Sequence, residues 1–169
     1  MVKPDLDRVP QYYHNYINLV QQDNLQEALA QHVSNAVSFL QNVPEDKWNY
    51  RYAEGKWSIK EVVQHMIDAE RIFCYRALCF ARKDQIPLPG FDENTYASAS
   101  KADRRSKDDL LEELEFVQKA SGKLFTSFDE EQLNATGIAN ENSVYVLAIG
   151  FIIAGHTIHH LNILQQRYL

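Results

Sequence analysis

From Ser143 to Gln166 the chain carries no Asp, Glu, Lys or Arg, and Val144–Gly155 is one continuous apolar run. Such a segment must either cross a membrane or be wrapped by the rest of the protein. A membrane span needs ~20 consecutive apolar residues, whereas a run of about 10–14 belongs to a buried core helix. His156, Thr157, His159, His160 and Asn162 interrupt this one, so a buried helix is expected and the remaining chain must surround it.

Helical periodicity accounts for most of that remainder. A short amphipathic piece, Gln11–Val20, comes first. Asn24 then caps a helix expected to reach about Gln41, with Leu25, Leu29, Val33, Ala36, Val37 and Leu40 at helical spacing and Pro44 beyond its end. The connection Asn42–Trp57 holds Trp48, Tyr50, Tyr52 and Trp57, which are expected to close one end of a bundle, with a binding pocket as the alternative. Ser58 and Glu61 form a capping box, opening a helix to about Arg82.

Lys83–Arg105 reads as a long connection. Ser106 with Asp109 starts a helix to about Thr126, and Ser127–Asn142 leads to Ser143 and a last helix ending near Arg167. Every proline falls outside these helices, while Gly122, Gly150 and Gly155 lie inside them. Four long helices and no credible strand predict an all-α four-helix bundle. A helix of about 24 residues is about 36 Å long, and the connection after the second helix is long enough to cross that length. The second and third helices can then run parallel, which makes the topology up-down-down-up.

With 169 residues, residues 1–169 suit a single domain. Lys and Arg number 17 against 23 Asp and Glu, a net charge of −6, which argues against nucleic acid as the main partner. The one basic knot, Lys101, Arg104, Arg105 and Lys107, is matched by Asp103, Asp108 and Asp109 and reads as a solvated loop and helix start. Cys74 and Cys79 form neither a disulfide framework nor a CxxC pair; they read as reduced core thiols, and MVKPDLDRVP has no secretory apolar region, so a cytoplasmic location is expected.

The histidines are distributed unevenly. His14 and His32 stand in polar company and are expected to face solvent. His156 and His160, four residues apart, point the same way from a helix, on the side that also carries Tyr145, Ile149, Ile152 and Ile163. Two imidazoles on a dry face need partners. A divalent metal would supply them, and hydrogen-bonded core histidines are the alternative. His65, in the apolar stripe of the second long helix, could complete a site with open positions. His159 reads as a pocket or supporting residue, and Glu61 or Asp68 could orient an imidazole. Cys74 and Cys79 are badly placed to pair with His65, and Arg76, Arg82 and Asp92 read as ordinary helix-surface and loop residues.

Trp57-Ser58-Ile59-Lys60-Glu61, then His65 with Asp68 and Glu70-Arg71, then Gly155-His156 through His159-His160 together resemble the DinB-like superfamily. The resemblance covers Asn24 to the C-terminus. It implies the up-down-down-up bundle, a divalent metal held by His65, His156 and His160, and a homodimer. Some relatives are S-transferases that use low-molecular-weight thiols such as bacillithiol or mycothiol. The neutral imidazoles suit zinc or nickel, with iron, copper or manganese as alternatives.

Two classes of function follow. The first is a metal-dependent, transferase-like enzyme acting on a small molecule, by thiol S-transfer in preference to hydrolysis, since no carboxylate stands at a secure general-base position. The second is a non-catalytic metal-binding or stress-response protein. A metal-free dimerisation module is a third possibility.

Overall fold

The structure is a computed structural model and describes residues 3–169. Seven α-helices are present among these residues: α1 (Gln11–Leu19), α2 (Leu25–Gln41), α3 (Ile59–Ala81), α4 (Glu93–Ser100), α5 (Lys107–Thr126), α6 (Glu130–Asn134) and α7 (Val146–Arg167). The four long ones, α2, α3, α5 and α7, form the bundle. Each packs on two of the others, in the cyclic order α2–α5–α3–α7.

Hydrogen bonds fix the direction of each helix. Lys107 at the start of α5 donates to the carbonyls of Gln41 and Val43 at the end of α2, so these two run antiparallel. Ser58 at the start of α3 donates to Asp103 just before α5, and Cys74 meets Ser121 further along, so α3 and α5 run parallel. The Tyr168 hydroxyl, just past α7, donates to the Trp57 carbonyl just before α3, which makes that pair antiparallel. Near its start α7 packs Gly150 on Leu25, the first residue of α2. The bundle is therefore up-down-down-up, as the length of the α3–α5 connection predicts.

Local chemistry sets the helix starts. The Asn24 side chain accepts from the amides of Gln26 and Glu27, and Ser58 with Glu61 completes its capping box. Ser106 accepts from the Asp109 amide. Each cap satisfies amides that the helix cannot bond internally.

The last helix begins at Val146 instead of Ser143, because Asn142–Tyr145 is a strand. It pairs antiparallel with Thr136–Ala139, a correction to the expectation of no strand. Asn140 and Glu141 form the two-residue turn, both with positive φ (49° and 63°), the geometry that matches the twist of a hairpin. Leu88, in the long connection, bonds to Ile138 and Asn140 and so docks that connection on the hairpin. The same connection also holds the short helix α4.

The apolar helix α7 is long and apolar enough to cross a membrane by composition, but it lies in the core of the bundle. Its residues Val146, Ala148, Ile149, Phe151, Ile152 and Ala154 are all buried. Trp48 is fully buried as well and helps to close the end of the bundle.

Candidate metal centre

Helices α3 and α7 face each other and bring three imidazoles together. The Nε2 atom of His156 is 3.1 Å from Nε2 of His65 and 3.0 Å from Nε2 of His160. Ligand atoms of all three residues lie within 4.8 Å of one another. His65 and His156 are buried, and His160 is half-buried. Burial pushes the His65 imidazole down to about 4, with the neighbouring His159 adding to the shift. His156 and His160 are lowered well below the ordinary value, first by burial and then by the neighbouring histidines. All three are therefore neutral near pH 7.

An imidazole nitrogen offers either one N–H or one in-plane lone pair. His156 Nε2 faces two other ring nitrogens, yet only one lone pair or one proton is available there. Protons alone thus satisfy such a triad poorly. Tetrahedral nitrogen ligands at about 2.0–2.1 Å from a zinc ion stand about 3.3 Å apart, and the two spacings observed are close to that. The donor set and its spacing fit a divalent cation.

Aromatic rings pack around the triad. Trp57 stands 4.9 Å from His65 between ring centroids, Tyr16 stands 5.5 Å from His156, and Phe73 stands 6.0 Å from His156. Two clefts adjoin the site. One, of about 290 Å³, is lined by His65, His156 and His160 together with Tyr12, Tyr13, Tyr16, Phe73 and Arg76. The other, of about 350 Å³, is lined by His159, His160, Tyr52, Lys56, Arg167 and Tyr168. His160 and Trp57 belong to both. Trp57 therefore paves the clefts, whereas Trp48 serves the bundle end.

Several residues stand elsewhere than the sequence suggested. His159 lies beside the triad, 5.1 Å from the His160 ring and 5.3 Å from Tyr16, as expected of a pocket residue. Glu61 is occupied by Arg51 and the Ser58 amide, and Asp68 by Gln64, so neither is seen to orient an imidazole. His32 is no surface residue: it is 1% exposed, bonded to the Leu29 carbonyl and 3.6 Å from the buried Glu70. Residues 25, 29, 32, 36 and 40 make one helical stripe, so periodicity carried the signal for its burial. His14 is half-buried against the Val9 carbonyl. Arg76, read as a surface residue, is buried in the first cleft.

The fold and the site together define a class: an up-down-down-up four-helix bundle that gathers three histidines from two facing helices beside an aromatic cleft. The chain belongs to the DinB superfamily, whose family model matches residues 28–164. Among solved structures it is similar to YfiT from Bacillus subtilis, described as a probable metal-dependent hydrolase with an unusual four-helix bundle topology. That likeness has a TM-score of 0.65 at 16% identity and covers 94% of this chain and 87% of YfiT. No curated protein matches the sequence.

Proposed function

We propose that the protein is a metal-dependent enzyme that transfers a low-molecular-weight thiol to a small electrophilic substrate, with His65, His156 and His160 as the metal ligands. The observation that carries this reading is the pair of clefts sharing His160 and Trp57: one cleft reaches all three imidazoles and the other reaches His160, so each can admit one reactant. His65, His156 and His160 would hold a divalent cation, zinc or nickel first, and that cation would favour the thiolate over the thiol.

The chain's own groups supply the rest. The aromatic walls give both reactants apolar surface to pack against and so hold them in place. Burial, and then a hydrogen bond with Tyr12, raise the Tyr16 phenol well above its ordinary range, so the cleft wall carries no charge there. In the transfer the thiol proton passes to solvent and the sulfur electron pair forms a new bond to carbon. The leaving group departs with the electrons of the bond that breaks.

Hydrolysis is the second reading. It is favoured by Glu93, a carboxylate in the lining of the first cleft, and by the description of YfiT.

Metal analysis of untagged protein, followed by assay of the zinc- or nickel-loaded form, tests the proposal. A small thiol with a chromogenic electrophile is run against a chromogenic ester. His160→Ala is expected to lose both metal and turnover. Turnover that persists in a metal-free variant sinks the proposal, and ester cleavage without thiol transfer replaces it with hydrolysis.

A further inference from the structure

Arg76 has no part in the chemistry above, yet its setting is unusual for an arginine. It is 4% exposed and lines the same cleft as the three histidines. Its Nη2 donates to the Pro89 carbonyl at 2.8 Å, and its guanidinium carbon lies 5.9 Å from the Phe73 ring centroid. It also donates to the phenol oxygen of Tyr13. Among the described residues it takes part in no ion pair. A guanidinium offers five N–H donors and stays charged in proteins. A buried charge without a counter-ion is costly, and a backbone carbonyl and a neutral phenol do not neutralise it.

Placement on α3 gives the charge a direction. His65, Ala69, Phe73 and Arg76 follow one another at intervals of four, four and three residues and line one cleft. The eleven residues from His65 to Arg76 span about 16 Å of helix. Phe73 lies between the ends, its ring 6.0 Å from the His156 ring. The guanidinium is therefore no further from His156 than these two ring distances laid end to end. Glu93, the acidic residue of the lining, is exposed on α4.

We infer that Arg76 is the binding site for a carboxylate on the thiol reactant, so that one ligand reaches from the guanidinium along Phe73 to the three histidines. A guanidinium matches a carboxylate through two parallel hydrogen bonds. The ligand's anionic end then supplies the counter-ion that the fold lacks. The sulfur end rests on the function proposed above; the carboxylate end does not.

The experiment uses two probes of equal length, mercaptohexanoate and mercaptohexanol, titrated calorimetrically into the zinc-loaded protein. The wild type is expected to prefer the carboxylate by about ten- to a hundredfold, the range for a hydrogen bond to a charged group. Arg76→Gln is expected to bring the two affinities together, and Arg76→Lys to restore part of the preference. A purely structural arginine would change stability without changing this ratio. Equal affinities in the wild type overturn the inference, and they do so even if the variants fail to fold.

Hexanoate, which has no thiol, separates the two proposals. Saturation-transfer spectra of the metal-free protein should show it bound to the wild type and not to Arg76→Gln. That result, with mercaptohexanoate binding the zinc-loaded protein no more tightly than hexanoate does, would retain Arg76 as the carboxylate site and refute thiol transfer.

Discussion

Replacing Gly155 by alanine tests how α1 is fastened to the bundle. Gly155 lies on α7 where α1 crosses it. A Cβ there would stand 2.0 Å from the carbonyl oxygen of Tyr16 and 2.4 Å from its carbonyl carbon. Neither is a side-chain atom that could rotate away, and real Cβ contacts stay above 3.0 Å, so α1 must withdraw by about 1 Å or more. In a helix interior the same substitution ordinarily stabilises by about 0.8–1 kcal/mol. Overpacking costs about 1–3 kcal/mol, and lifting α1 further would expose Ile17, worth about 1.5–3 kcal/mol when fully buried. The expected net effect is a loss of about 1–2 kcal/mol, read by circular dichroism as a fall in Tm of about 2–4 °C per kcal/mol.

Gly122 on α5 provides the control, because a Cβ there meets nothing within 4 Å. Gly122→Ala should raise stability by about 1 kcal/mol. The same chemical change is thus expected to have opposite signs at two helical glycines. α1 carries Tyr12, Tyr13 and Tyr16 of the first cleft and none of the three clustered histidines. Gly155→Ala should therefore weaken ligand binding in that cleft and leave metal stoichiometry unchanged. A Gly155→Ala protein as stable as Gly122→Ala would refute the close crossing of α1 on α7.

Two other predictions concern single side chains. The Cys74 thiol is pushed up from 9.0 to about 12, first by burial, with Glu70 adding to the shift and a hydrogen bond to Ser121 opposing it. Native protein at mildly alkaline pH should alkylate at Cys74 at least about thirtyfold more slowly than the unfolded chain, because the lost thiolate fraction outweighs the greater nucleophilicity of the more basic sulfur. Because the folded state holds that proton more tightly, the thiol's contribution to stability is full below pH 9 and falls as pH rises from 9 towards 12. Equal alkylation rates measured by mass spectrometry would contradict its burial. Ser58→Ala removes both the cap of α3 and the bond to Asp103. It should cost about 1–2 kcal/mol in chemical denaturation, with Ser58→Thr recovering part of the loss.

The four long helices were legible because each has a periodic apolar face and three of the four have a side-chain cap close to where α-helix begins. The missed hairpin is equally instructive. Its turn is Asn140-Glu141, and a glutamate at φ 63° gives no glycine signal for a tight turn. Both strands are four residues long, and much of their support comes from Leu88 in a distant connection. α4 was missed for a related reason: eight residues with Ser and Thr among them carry little periodicity, and Asp92 and Ala97 fix them through one cap and one buried contact.

The sequence by itself determined that α7 must be buried and that His156 and His160 share one of its faces, since both follow from hydropathy and a helical repeat within a single segment. It also placed a third histidine at an inward position of α3. Only tertiary structure decided that His65 meets His156 at 3.1 Å, that His32 lies against Glu70, and that Arg76 is buried in the cleft of the triad. These are contacts between helices, fixed by how α2, α3 and α7 pack and by where the long connection folds back. Periodicity says which way a side chain points from its own axis; what stands opposite is set by the other helices.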